Sequence, residues 1–286
     1  MAGVTAPLSL GISPCPNDTF VFHALVHGLV DQAPPVDVRF EDIDALNRLA
    51  AGGELDVVKV SYGALPWLLD DYRLLASGGA LGRGCGPLLL TGAPRSAADL
   101  AGARIAVPGE RTTAYLLLRL WAAESVELGA VDVLPFDQIM PAVRDGGYDA
   151  GLVIHESRFT YPSYGLHQVV DLGEWWEGTT GLPIPLGAIV ARRSLGDTAI
   201  AQIDDAVRRS VELAWADPSV SRDYVLSHSQ EMDPAVADAH IALYVNEFTR
   251  DLGADGRAAV DGLLGRAADA GLVPTGPRSS AGPAAR

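Results

Sequence analysis

The stretch Leu8-Ser9-Leu10-Gly11-Ile12, running into Ser13-Pro14-Cys15-Pro16-Asn17-Asp18-Thr19, decides the architecture once its second occurrence is found. Its first five residues alternate as a β-strand does. The polar turn that follows is stiffened by two prolines and predicts a helix over Phe20–Gly28, with Asn17 or Asp18 as its cap. About 95 residues later, Arg104-Ile105-Ala106-Val107 is again a short apolar strand. It runs into Pro108-Gly109-Glu110-Arg111-Thr112-Thr113, and Ala114–Ala123 has helical composition.

The following elements repeat as well. Ile43–Ala51 reads as a helix closed by Gly52-Gly53, and Glu54-Leu55-Asp56 then leads into the strand Val57-Val58-Lys59-Val60-Ser61. Its counterpart is Ile139–Arg144, closed by Gly146-Gly147, with Tyr148-Asp149 leading into Ala150-Gly151-Leu152-Val153-Ile154-His155. Glycine ends a helix because it takes positive φ without strain. Asp56 and Asp149 are 93 residues apart, nearly the spacing of the two first strands. Both halves therefore read β–turn–α–β–α–β, a duplicated βαβαβ unit.

The boundaries expected from this pattern are residues 1–94 for the first part of lobe 1, with Gly92–Ala97 as the crossing, and residues 95–186 for lobe 2. Residues 187–275 are predominantly helical after the apolar run Leu186–Ala191, with helices expected at Thr198–Ala216, Asp217–Ser229, Pro234–Leu252 and Asp255–Ala270. With no strand among them they cannot form a third α/β domain, so they are expected to return to lobe 1. Residues 276–286 are rich in Gly, Pro, Ala and Ser and read as a disordered tail. Two α/β lobes joined by two crossings define a two-lobed, periplasmic-binding-protein-like (type II) α/β fold with a helical C-terminal part. Ligands in open α/β sheets bind beyond the carboxyl ends of the strands. Four segments are thereby nominated to face one cleft: Ser13–Thr19, Lys59–Tyr62, Gly109–Ala114 and His155–Arg158.

Composition narrows the ligand. Of 286 residues, 36 are acidic and 21 basic, a formal charge of −15. Nucleic-acid binders and proteins resting on anionic membrane need a basic footprint that this chain lacks. No apolar run approaches the ~20 residues of a spanning helix, and Met1–Leu8 has no secretory pattern, so a cytoplasmic location is expected. Cys15 and Cys85 are too far apart for a CxxC motif, and reduced thiols are the plainer reading. The expectation is a small acidic substrate, no cofactor and no metal. The C-terminal helices offer a candidate face for a homodimer.

Each nominated segment carries two readings. Ser13–Thr19 is either a rigid βα turn or a turn that points Asn17, Asp18 and Thr19 into the cleft. Cys15 has no histidine near it in sequence to activate it as a nucleophile. Lys59, the one lysine beside twenty arginines, either snorkels to water or shares the cleft face with Ser61 by strand alternation. Thr112-Thr113-Ala114 opens a helix, where free N–H groups favour an anion, or simply caps it. The absence of GxGxxG and GK[ST] excludes a nucleotide site of those types. His155, at the end of an apolar strand, is either a satisfied structural histidine or, at the expected cleft, the natural general base. Glu156 is expected on the opposite face. Arg83, in a glycine-rich turn, is a further cleft candidate, and Arg158 follows His155 within the fourth segment.

The blocks SPCPNDTF (13–20), KVSYGA (59–64), SGGALGRGCGPL (77–88), GERTTA (109–114) and HESRFTY (155–161) resemble those of the 1,4-dihydroxy-6-naphthoate synthases of the futalosine route to menaquinone. The resemblance runs from about Leu8 to the last helices. It implies a lyase that cleaves cyclic dehypoxanthine futalosine, without a cofactor, to 1,4-dihydroxy-6-naphthoate and dihydroxyacetone. It also implies His155 as proton acceptor, with substrate contacts at Lys59, Val60 and Ser61 and at Thr113 and Ala114. A chorismate dehydratase-like enzyme and a non-catalytic binder of a small carboxylate are the rival readings.

Overall fold

The computed structural model describes residues 6–229 and 233–274; the expected tail, 276–286, lies outside the described residues. The first unit comprises β1 (Leu8–Ile12), α1 (Pro16–Val26), β2 (Val36–Phe40), α2 (Ile43–Ala51) and β3 (Val57–Ser61). Strand β1 pairs in parallel with both β2 and β3. After β4 (Tyr72–Leu74), β5 (Ala80–Gly82) and β6 (Leu88–Thr91), the second unit repeats the plan. It consists of β7 (Ile105–Val107), α3 (Thr113–Ser125), β8 (Val131–Val133), α4 (Phe136–Arg144) and β9 (Ala150–Val153). Strand β7 pairs in parallel with β8 and β9, and Ile105 faces Ala150 as Leu10 faces Val57. Next come α5 (Ser157–Thr160), β10 (His167–Asp171), α6 (Leu172–Thr180) and β11 (Ile184–Arg192).

The sheets run β2-β1-β3-β11-β4, with β5 also on β11, and β8-β7-β9-β6-β10. The two orders correspond strand for strand. In each, the fourth strand is antiparallel and arrives from the other side of the molecule: β6 follows β5 of the first sheet, and β11 follows β10 of the second. Strand β6 therefore lies in the second sheet, and the first crossing falls between Gly82 and Leu88, not at Gly92–Ala97. Leu88–Leu90 misled the sequence reading because a strand buried on both faces is uniformly apolar and carries no mark of which sheet it joins. The return crossing precedes Ile184, whose partner is Gly82.

The C-terminal helices are α7 (Asp197–Ala216), α8 (Arg222–His228), α9 (Pro234–Tyr244), α10 (Glu247–Arg250) and α11 (Gly253–Asp269). Helices α7, α8 and α9 pack on α1, and α11 packs on β11. Pro234–Leu252 is not one helix. It breaks after Tyr244, where Asn246 caps α10 and donates to the Leu81 carbonyl of β5. Helix α1 starts earlier than expected, at Pro16 with Cys15 as N-cap, which places Asn17 and Asp18 inside its first turn and not at the cap. No helix among the described residues is long and apolar enough to cross a membrane.

One core lies under α1 and α7 and includes Leu10, Ile12, Phe22 and Val207. A second runs through both lobes, from Val58 and Val60 to Leu117, Leu152, Trp176 and Leu263. Small residues permit the closest approaches. A Cβ at Gly63 would stand 3.1 Å from the backbone of Thr112 and Thr113, so the two lobes touch there main chain to main chain. A Cβ at Gly151 of β9 would lie 2.6 Å from Ile139 Cγ2 and 2.7 Å from Val143 Cγ2 of α4.

Those branched γ carbons cannot swing aside, so Gly151→Ala is expected to cost roughly 1–3 kcal/mol by overpacking. The exposed Gly178 of α6 has nothing within 4 Å of its added Cβ. There, Gly→Ala is expected to add about 0.5–1 kcal/mol through helix propensity. Urea unfolding midpoints moving in opposite directions would bear this out, and equal shifts would contradict it.

Candidate active site

A cavity with an empty volume of about 620 Å³, its mouth included, lies between the sheets beyond the strand ends. All four nominated segments reach it. The first lobe contributes Ser13, Asn17 and Asp18 from the β1–α1 junction and Lys59 and Ser61 from β3. The second contributes Thr112, Thr113 and Ala114 at the start of α3, and Ile154 and His155 after β9. Ile43, Leu186 and Pro87 add apolar wall, and Tyr244 reaches in from α9.

On the first-lobe side the polar groups bind one another. Asp18 accepts from the backbone N–H and hydroxyl of Ser13, at 3.2 and 2.7 Å, and from Asn17 Nδ2 at 2.9 Å. The Lys59 ammonium also donates to Asp18. The two charged side chains are 5% and 2% exposed, so this is a buried ion pair, and Lys59 meets the cavity already neutralised. Its stem lies against Gly187, where a Cβ would stand 2.6 Å from Lys59 Cε. Val60, expected among the contacts, projects to the other face of β3 into the core, as strand alternation requires, and does not line the cavity.

Ser61 is clamped by Asn47 of α2, whose Nδ2 donates to the hydroxyl at 3.1 Å and whose Oδ1 accepts from the Ser61 N–H at 2.9 Å. Thr112 Oγ1 accepts from Tyr115 N–H and donates to the Gly109 carbonyl, so it caps α3. Thr113 Oγ1 donates to the Leu186 carbonyl at 2.7 Å and accepts from Gly63 N–H at 3.0 Å, bolting the lobes together. With both hydroxyls engaged, α3 offers a ligand its first N–H groups, those of Thr113 and Ala114, which have no acceptor within the helix.

His155 lines the same cavity. Strand β9 ends at Val153, so His155 is not its last residue; it lies two residues farther on with φ +56°. A left-handed conformation is costly for a side chain with a Cβ, by about 1–3 kcal/mol, and such strain gathers at functional sites. Phe136 packs edge-on against the imidazole at 5.5 Å. Burial pushes its pKa down to about 4, with Asp18 opposing the shift, so the ring is neutral at neutral pH. The same left-handed residue redirects the chain. Glu156, expected on the opposite face, comes round beside His155, and both lie near Cys15. Cys15 and Cys85 are free and buried. Burial and the neighbouring Glu156 push the Cys15 thiol well up, which disfavours the thiolate a nucleophile would need.

Sequence reading missed His240 of α9. Its Nε2–H donates to Asn17 Oδ1 at 2.9 Å, Asn17 being oriented by its own bond to Asp18. Its Nδ1 lies 3.8 Å from Glu156 Oε2, and its ring stacks toward His155 at 6.3 Å. Burial, with His155 and Lys59 nearby, holds its pKa well below the usual value. The available signal was the spacing of His240 and Tyr244, four apart on one helix face. Two arginines do not join the site. Arg83 is exposed and donates to the Gly181 carbonyl at 2.9 Å beside Glu177. Arg158 bonds the Gly86 carbonyl and Asp171, bracing the turn at the head of α6. Neither lines the cavity.

Two lobes with matching strand orders around such a cleft define a periplasmic-binding-protein-like fold. The alkanesulfonate-binding protein SsuA of Xanthomonas axonopodis pv. citri shares it, with TM-score 0.72 and 18% identity over 96% of each chain. A crystal structure of an Archaeoglobus fulgidus protein aligns with TM-score 0.88 and 36% identity, over 95% of this chain and all of that one. The family described as "Menaquinone biosynthesis" matches residues 8–269. The 1,4-dihydroxy-6-naphthoate synthase of Streptomyces coelicolor is 64% identical over 279 residues, 96% of this chain and 98% of the relative. That of Thermus thermophilus is 52% identical over 95% and 97%. The chain belongs to the menaquinone biosynthesis family, within its 1,4-dihydroxy-6-naphthoate synthases, and is an enzyme.

The buried pair sets a stability test. Lys59→Met removes the countercharge of buried Asp18, and a loss of about 3–5 kcal/mol is expected. Adding Asp18→Asn to Lys59→Met is expected to recover much of it. Urea unfolding of the single and double variants checks this; equal destabilisation of both would show that the pair does not act as a unit.

Proposed function

We propose that the cavity binds cyclic dehypoxanthine futalosine and cleaves it to 1,4-dihydroxy-6-naphthoate and dihydroxyacetone, with His155 as general base. The observation that carries this reading is a neutral imidazole lining the same cavity as Ser61 and the start of α3. The helix N-terminus and the Ser61 hydroxyl suit the substrate carboxylate. Asn17, which lines the same cavity, is assigned a substrate hydroxyl. Lys59 acts indirectly, by holding Asp18 and through it the β1–α1 turn. The apolar wall suits the aromatic part of the ligand.

His155 removes a substrate proton, the carbon–carbon bond breaks, and the remaining ring becomes aromatic. That gain in aromatic stability supplies much of the driving force, so the side chains need to bind, orient and move a proton. The proton taken by the imidazole returns to the departing fragment, leaving the base neutral for the next turnover. The biosynthetic role supports a cytoplasmic enzyme.

Incubation with cyclic dehypoxanthine futalosine and mass detection of the naphthoate tests the substrate; unchanged substrate would overturn the reading. For the base, His155→Asn is the better variant, because asparagine tolerates the left-handed conformation that His155 occupies. Its kcat is expected to fall by 10²–10⁴-fold. The acid limb of kcat/KM is expected near the depressed value of about 4, well below the ordinary 6.5, because an imidazole held neutral by burial keeps its lone pair until that pH. Near-normal turnover of the variant would remove His155 from the mechanism.

A further inference from the structure

We propose that Cys15, His155 and Glu156 form a site for a zinc-type divalent cation whose occupation blocks the catalytic cavity. A sulfur, an imidazole nitrogen and a carboxylate oxygen from these three residues all lie within 4.8 Å of one another. No other group of three or more such side chains among the described residues comes as close. Cys15 is 4% exposed and Glu156 6%, so two of the donors are not surface groups that gather by chance. His155 is the donor that faces the cavity.

The ligand chemistry selects the ion. Thiolate, imidazole and carboxylate together suit zinc, whereas magnesium and calcium favour oxygen donors alone. Zinc bonds of about 2.0–2.3 Å place tetrahedral ligands about 3.5 Å apart. The donors therefore need to draw in by about an ångström, which side-chain rotation supplies. Three protein donors leave the fourth position for water or a ligand oxygen. Binding exchanges the Cys15 S–H bond for a metal–sulfur bond and releases the proton to solvent, with no change of oxidation state.

The placement of the three residues explains why a bound cation would block the site. Cys15 caps α1 in the first lobe, whereas His155 and Glu156 follow β9 in the second. One cation would join the lobes across the cleft and occupy the lone pair of His155. The loss of activity rests on the function proposed above, whereas the cation site itself does not. Sequence spacing could not reveal the cluster, because Cys15 and His155 are 140 residues apart and meet only when the lobes pack.

The test uses the full-length, metal-free protein titrated with Co²⁺. One equivalent is expected to give a thiolate-to-cobalt charge-transfer band in the near ultraviolet and the intense visible bands of tetrahedral coordination, and Zn²⁺ is expected to erase both. Cys15→Ser is expected to lose the charge-transfer band and Cys85→Ser to keep it, with circular dichroism confirming that each is folded. Glu156→Gln is expected to weaken binding at least tenfold. A weak octahedral spectrum from the wild-type protein, or a charge-transfer band that survives Cys15→Ser, would overturn the site. A separate assay reads activity with Zn²⁺ and again after chelation. Full turnover by protein shown spectroscopically to hold the cation would overturn the blocking effect.

Discussion

The buried ion pair between Lys59 and Asp18 is the constraint on which the active-site geometry depends. Two charges taken out of water are tolerated only when each is held by further hydrogen bonds. Asp18 meets that demand by accepting from Ser13, Asn17 and Lys59 together. The consequence is rigidity: the β1–α1 turn, the third strand and the Asn17 amide are locked in one arrangement. Asn17 Oδ1 in turn accepts from His240, so a helix from the far end of the chain is tied into the same network.

That network explains how an acidic protein is suited to an acidic ligand. The net charge of −15 offers no attraction, and the one lysine is already neutralised. What the cavity presents instead is local: helix N–H groups, a serine hydroxyl held in place by Asn47, and a histidine, His155, kept uncharged by burial. Such donors act at hydrogen-bond range, where the field of the whole surface matters little. They also leave the imidazole of His155 in the protonation state that a base requires.

The second constraint is the contact between the lobes. Each sheet takes its fourth strand from a segment that has just left the other, so the two crossings lie side by side and the lobes cannot drift far apart. Gly63 and Thr113 complete the closure: a missing Cβ lets the main chains touch, and the threonine hydroxyl spans both sides. The contact sets Ser61 and the β1–α1 turn of the first lobe around the same volume as the start of α3 and His155 of the second.

From sequence alone, the duplicated βαβαβ unit was legible, because strand alternation, glycine stops and a repeat spacing are local properties of the chain. Those same properties, with the rule that ligands sit at strand ends, placed all four segments at one cavity. The sheet membership of Leu88–Thr91 was not legible, since a doubly buried strand is uniformly apolar whichever neighbours it has. Nor was the company of His155. Its positive φ turns Glu156 inward against the expected alternation, and His240 arrives through packing of α9 on α1. Arg83 and Arg158 show the converse: a charged residue near the right segment binds whichever carboxylate or carbonyl the fold brings to it. Local pattern determined which segments meet. Which atoms touch was decided only by tertiary packing, because a hydrogen-bond partner is chosen by distance in space and not by distance along the chain.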